Sequence, residues 1–215
     1  MQPLTLYGLE RSVYTRIARL ALEEKGVPYA LVETEIFGPG GVPAAHRERH
    51  PFGRIPVLAH GSFLLYETAA ITRYVDEAFD GPALQPAGAA LRARMNQVIG
   101  LLDAYAYRPM VWGVFVERMR AINSGAAADE ARIAESLAVA RTSLRALDSL
   151  AQWRPFFCGE QPSLADCHAF PMLRCFSLAP DGAALLGEFP AVQAWMTAML
   201  GRPGVLRTRT RYEAA

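Results

Sequence analysis

Three short stretches of this chain hold residues whose types and spacing could do chemistry: Arg11-Ser12-Val13-Tyr14, Arg54-Ile55-Pro56 and Glu67-Thr68. Ser12 stands where an apolar-periodic segment begins. Serine commonly caps a helix there, and its hydroxyl can also donate a hydrogen bond. Tyr7 and Tyr14 offer phenolic donors nearby and are rivals for that role. Tyr7 reads first as a half-buried strand residue. Pro56 precedes the apolar pair Val57-Leu58. A proline inside a central strand would cost a ladder bond, so Pro56 marks a sheet edge, the first residue of a strand, or a cis peptide. A cis Ile55–Pro56 bond would turn the N–H and C=O of Ile55 outward, free to pair with an extended peptide. Glu67-Thr68 opens an amphipathic segment whose unpaired N–H groups and positive dipole end suit a carboxylate. The same two residues also make an ordinary helix start. A peptide-pairing edge and an anion site thus lie about one small peptide apart.

The surrounding elements must hold these stretches. Leu4 to Tyr7 alternates as a strand. Val13, Ile17, Leu20 and Ala21 follow the i, i+4, i+7, i+8 spacing of one helix face up to Lys25, and Gly26 sits in the usual terminating position. Tyr29 to Thr34 reads as a second strand. Gly38-Pro39-Gly40-Gly41 is a flexible loop that lacks the Lys-Ser/Thr ending of a phosphate cradle. Val57-Leu58 and Phe63 to Tyr66 flank a turn at Ala59-His60-Gly61-Ser62, a hairpin in which Gly61 supplies positive φ. Ala70, Ile71, Tyr74 and Val75 make the apolar face of the helix opened by Glu67-Thr68.

The expected domains are residues 1–80, a linker at 81–87 rich in Pro and Gly, and a helical domain over 88–215. In that second part Leu91 to about Arg120 reads as one long helix that Pro109 could kink. Asp129 caps a helix carrying Ile133, Leu137, Ala140, Leu144 and Leu147. Ser163 and Asp166 form a variant capping box ahead of a nearly all-apolar helix, and Val192, Trp195, Met196 and Met199 mark a last amphipathic one.

Composition excludes several classes. The net charge is +1, so the chain has no electrostatic footprint for nucleic acid or an anionic membrane. No run approaches the ~18 apolar residues of a membrane span, and the start Met1-Gln2-Pro3-Leu4 lacks the basic residues of a signal peptide. Cys158, Cys167 and Cys175 are odd in number and lack zinc-like spacing, so they read as reduced thiols of a cytoplasmic protein with no metal. His168 and Cys167 read as core, and His50 as packing or bonding locally beside Pro51.

Taken together, Leu6-Tyr7-Gly8 with Ser12, Leu20 to Gly26, Pro51-Phe52-Gly53-Arg54-Ile55-Pro56, Glu67-Thr68-Ala69-Ala70-Ile71 and Ser163-Leu164-Ala165-Asp166 resemble the soluble glutathione S-transferase family, serine type. The resemblance spans nearly the whole chain. It implies a thioredoxin-like α/β N-terminal domain followed by an all-α C-terminal domain. The implied activity is detoxifying conjugation of the thiolate of glutathione, a co-substrate, to a small hydrophobic electrophile. It further implies a cytoplasmic homodimer keyed by an apolar loop residue, here Phe52.

Carried over residue by residue, the resemblance makes Ser12 the donor to the thiolate. Arg54, Ile55, Pro56, Glu67 and Thr68 become glutathione-binding residues, while Tyr105, Arg108 and Trp112 on the long helix are candidates for the partly apolar wall that an electrophile pocket needs. An aromatic stripe at helical spacing is otherwise core. The sequence departs from the pattern in the loop before the second helix, where relatives place Lys or His and Gly41-Val42 stand here. The remaining cations are Arg16, His46, Arg47 and Arg54, of which Arg54 adjoins Ile55 and can grip a carboxylate with both arms. Alternatives are a non-catalytic binding or regulatory protein of the same fold, or a glutathione-dependent reductase or isomerase. A reductase would want cysteine at position 12, and an isomerase of the maleylacetoacetate type would want Ser-Ser-Cys.

Overall fold

The computed structural model describes residues 3–151 and 154–213. Met1 and Gln2, read above for a leader, lie outside them. Two compact units emerge: one runs to Gln85 and takes in the segment from Pro203 onward, and the other is Pro86–Arg202.

The first unit is built on a four-stranded mixed sheet in the order β2-β1-β3-β4. Its strands are β1 (Leu4–Gly8), β2 (Ala30–Glu33), β3 (Val57–His60) and β4 (Phe63–Tyr66). β1 runs parallel to β2 and antiparallel to β3, and β3 pairs antiparallel with β4. The hairpin is tighter than the sequence implies. His60 pairs with Phe63, leaving only Gly61-Ser62 as its loop, with Gly61 at φ 60°. Two-residue hairpins need positive φ, which glycine adopts without steric cost.

Helices α1 (Val13–Lys25) and α3 (Thr68–Ala78) lie together, and a short α2 (Ala44–Arg49) precedes β3. Alternation decides which side of β1 is buried: Leu4, Leu6 and Gly8 are buried, whereas Thr5 and Tyr7 are half-buried. Leu4, Leu6 and Leu58 pack with Ala18, Leu22, Ile71 and Val75 into one core. Each large aliphatic chain there contributes about 1.5–3 kcal/mol by leaving water. Gly8 is required by close approach. A Cβ at that position would stand 2.4 Å from Thr15 Oγ1.

The segment after Pro203 returns to α1. The short helix α10 (Pro203–Arg207) packs on it, Arg207 pairs with Glu23 at 2.5 Å, and Arg16 pairs with Glu213.

The second unit is helical. The long helix anticipated from Leu91 runs instead from Ala89 to Ser124, as α4 (Ala89–Leu101), wider π-turns over Leu102–Ala106 and Arg108–Val116, and α5 (Glu117–Ser124). Pro109 explains the widening, because it has no N–H for the normal i→i−4 ladder. The Tyr107 N–H accordingly reaches back five residues to the carbonyl of Leu102. Next come α6 (Glu130–Ala151), α7 (Leu164–Ser177), α8 (Pro180–Leu186) and α9 (Pro190–Leu200).

Asp129 receives the N–H of Arg132 at 3.0 Å, the expected cap. The Ser163/Asp166 box is also present, and it extends further than a local cap. Buried Asp166 accepts from the N–H and hydroxyl of Ser163, the N–H of Phe157 and the indole N–H of Trp195. Cys167 and His168 are buried in the same helix, as read from sequence.

Candidate functional site

Register brings the three stretches of interest to one end of the sheet. Tyr7, next to the last residue of β1, lies opposite Val57, the first of β3, and Val57 lies opposite Tyr66, the last of β4. The loop from Gly8 to Ser12, the segment Arg54–Pro56 and the start of α3 therefore leave the same edge. The first loop is tied to the neighbouring segment by the Glu10 N–H on Glu33 and by an Arg11–Glu35 pair at 2.6 Å. That arginine holds the Glu35 carboxyl below its ordinary value.

Ser12 is the N-cap of α1, and its Oγ accepts the Thr15 N–H at 3.4 Å. The two readings of Ser12 are compatible. The cap uses a lone pair, while the hydroxyl hydrogen has no acceptor among the described residues. Tyr14, second in α1, is half-buried. Tyr7 faces the side of the sheet away from α1, and the Arg49 guanidinium lies 4.2 Å over its ring. That is a cation–π contact.

The Ile55–Pro56 bond is cis. Among the described residues, nothing bonds the backbone N–H or C=O of Ile55. Arg54 is exposed and its guanidinium has no partner among the described residues, although its carbonyl accepts from His46 Nε2 at 2.7 Å. Arg47 is exposed, whereas two neighbouring cations are committed. Arg16 is buried against Glu213, and Arg49 covers Tyr7.

Among the described residues, Glu67 is the non-glycine residue at positive φ, 70°, with ψ 110°. It costs about 1–3 kcal/mol to hold a residue in such a sparsely populated region, and such residues gather at ligand clamps. The Glu67 carbonyl accepts the N–H groups of Ala70 and Ile71, and no side chain caps the helix. The N–H groups of Thr68 and Ala69 are left facing outward from the helix start, where the dipole favours an anion.

His50 lies within electrostatic reach of Glu67. Its Nδ1 accepts the Phe52 N–H at 3.3 Å, and its ring lies 4.6 Å from that of Tyr66. Burial pushes its pKa down, with His46 and Arg54 adding in the same direction against Glu67. Phe52, at the tip of the turn, is 70% exposed.

In the helical unit the aromatic stripe divides. Met110 and Phe115 are core, while Tyr105, Arg108 and Trp112 are exposed at i, i+3 and i+7 spacing. The Trp112 indole N–H donates to Tyr107 Oη at 3.0 Å. Arg49 is not singled out by the sequence, and His46, read there as a candidate carboxylate-binding cation, instead bonds the Arg54 carbonyl. The available signal is the spacing of His46 and His50 four apart, one within the short α2 and one just past its end.

The same order of parts occurs in known proteins. Residues 6–83 match the family model described as glutathione S-transferase, N-terminal domain, and residues 130–198 match glutathione S-transferase, C-terminal domain. Glutathione S-transferase 4 of Zea mays is 30% identical over 198 residues, covering 92% of this chain and 88% of that protein. The chain belongs to the glutathione S-transferase family.

The family reaches beyond named transferases. The stringent starvation protein A homolog of Haemophilus ducreyi is 26% identical over 200 residues, covering 93% of this chain and 86% of that protein. Among solved structures, glutathione transferase F7 from Populus trichocarpa superposes with a TM-score of 0.84 at 25% identity, over 95% of this chain and 97% of that one. The thioredoxin-like unit followed by a helical unit is thus the glutathione S-transferase fold. Among the described residues, no helix is long and apolar enough to cross a membrane.

Proposed function

We propose that the chain is a catalytically active glutathione S-transferase, which joins the glutathione thiolate to small hydrophobic electrophiles. The observation that carries this reading is the convergence of three features at one sheet end. They are a hydroxyl with an uncommitted hydrogen at the start of α1, the unpaired Ile55 backbone beside cis-Pro56, and the uncapped start of α3 with strained Glu67.

In this reading Ile55 pairs with the cysteinyl backbone of glutathione. Thr68 takes the γ-glutamyl carboxylate on its N–H and hydroxyl, and Glu67 faces the γ-glutamyl ammonium. Arg54 takes the glycine carboxylate. Ser12 donates to the thiolate. A thiol of pKa ~8.5 must fall about two units to be ionised at neutral pH, which requires about 2.7 kcal/mol. One hydrogen bond to a charged group supplies ~1.5–3 kcal/mol, and the helix N-terminus adds a few tenths or more. No general base is needed. Tyr105, Arg108 and Trp112 supply exposed apolar and cationic surface for the electrophile. We further assign the protein to the cytoplasm, as a homodimer keyed by Phe52.

A second reading has one observation in its favour. The loop Gly38 to Val42 offers no cation, so in this reading the glycine-end contact falls to Arg54. A binding or regulatory protein of this fold would tolerate that. Retention on immobilised glutathione followed by a conjugation assay separates the readings. Retention with turnover supports the enzyme, retention without turnover the binding protein, and loss of both overturns the glutathione reading.

A further inference from the structure

His46 is 1% exposed, and its hydrogen bond goes from Nε2 to the carbonyl oxygen of Arg54, 2.7 Å away. A carbonyl can only accept, so Nε2 carries the proton. Nδ1 is buried and meets no partner among the described residues. A buried nitrogen without a partner is costly, and an apolar residue of similar volume would avoid that cost. What the imidazole contributes in return is its one bond to Arg54.

That bond acts on a particular peptide unit. The Arg54 carbonyl and the Ile55 N–H belong to the same amide plane, and the cis bond lies one residue later. In a planar trans amide the C=O and N–H point in opposite directions. Tying the carbonyl to α2 therefore aims the Ile55 N–H away from α2. Donation to the carbonyl also polarises the amide and strengthens its N–H as a donor.

We propose that His46 is a positioning residue: its buried Nε2–H fixes the Arg54–Ile55 amide so that the Ile55 N–H is presented to the extended backbone of a bound γ-glutamyl tripeptide. This rests on the reading of Ile55 as the glutathione-pairing edge. His50 braces the same segment from the other side, through the Phe52 N–H and the Tyr66 ring. The turn between them is closed by the Gly53 N–H on the His50 carbonyl at 2.8 Å.

The test compares His46→Leu, which removes the donor, with His46→Gln, whose amide nitrogen can occupy the place of Nε2. Glutathione affinity by calorimetry and the KM–kcat split are read on both. His46→Leu should weaken glutathione by about three- to tenfold, the value of one hydrogen bond. Turnover at saturating glutathione should stay near wild type, and His46→Gln should recover most of the loss. In the free protein, amide exchange over residues 53–57 should speed up in His46→Leu and not in His46→Gln. If His46→Leu fails to fold, His46→Asn, too short to reach the carbonyl, takes its place against His46→Gln. Unchanged affinity in the donor-less variant overturns the proposal, as does equal loss in both variants, which would mean that the ring only fills space. A wild type that binds no glutathione is a different failure. It removes the reading of the site first and this proposal with it.

Discussion

Arg16 and Glu213 form a two-pronged ion pair, at 2.5 and 3.3 Å, with side chains only 3% and 2% exposed. One helical turn from Ser12, the segment after Pro203 is thus fastened under the helix that carries the proposed thiolate donor. The same pair withdraws Arg16 from the cations that could hold a ligand carboxylate.

Removing one partner of a buried pair leaves an uncompensated charge, which costs about 3–5 kcal/mol. Glu213→Ala should lose stability in that range by urea unfolding. A double replacement, Arg16→Met with Glu213→Leu, should lose far less. Equal losses in the two would mean that the pair contributes packing and not charge balance.

Ser12→Ala should raise the pKa of bound glutathione by one to two units while changing its affinity little. The helix itself should lose only about 0.5 kcal/mol, the low end for a cap, because the Thr15 bond is long at 3.4 Å. Thiolate absorbance against pH measures the first effect and thermal unfolding the second. Survival of the thiolate signal would pass the role to Tyr14 or Tyr7.

Arg54→Ala should weaken glutathione by about 1.5–3 kcal/mol, roughly ten- to a hundredfold in Kd. An analogue without the glycine carboxylate should bind both proteins equally. Calorimetry over the four combinations decides it. If intact glutathione binds the mutant as tightly as the wild type, exposed Arg47 is the next cation to test, since Arg16 is paired and His46 holds a carbonyl.

Phe52 exposes 70% of its surface between Pro51 and Gly53, and the proposed homodimer would cover that ring with a second chain. Sedimentation at micromolar concentration should give the mass of two chains for the wild type and a marked shift toward one chain for Phe52→Ser. A wild type with the mass of one chain sinks this idea.

Acid should weaken the helical unit through Glu117. Arg120, the Asp129 N–H and more weakly Arg132 hold its carboxyl pKa down at about 2, against an ordinary 4.5. A folded-state pKa below the unfolded one contributes stability above pH 4.5, and the contribution is lost as pH falls from 4.5 toward 2. Glu117→Gln should therefore show a shallower decline of stability over that window in acid titration of the folded state. An unchanged slope would mean that other carboxylates dominate.

What the sequence determined by itself were the features set by residues within about one helical turn or one hairpin of each other. The span of α1 from Val13 to Lys25, the Gly61 turn, the helix opening at Glu67-Thr68, and the caps at Asp129 and Ser163 all follow from local periodicity and local hydrogen bonding. The cis state of Pro56 was narrowed to a short set of alternatives, because a strand-opening proline has few conformations. Even locally, Pro109 announced a break but not its form, since a lost ladder bond can be answered by a kink or by wider turns.

Tertiary structure alone decided the rest. Arg16 meets a carboxylate 197 positions away, Asp166 gathers Trp195 and Phe157 beyond its own cap, Arg49 covers Tyr7, and His46 takes the Arg54 carbonyl. Each is the match of one buried polar group to whichever partner the packed chain brings within reach. That match leaves no periodic trace in the sequence, because it depends on three-dimensional proximity and not on spacing along the chain.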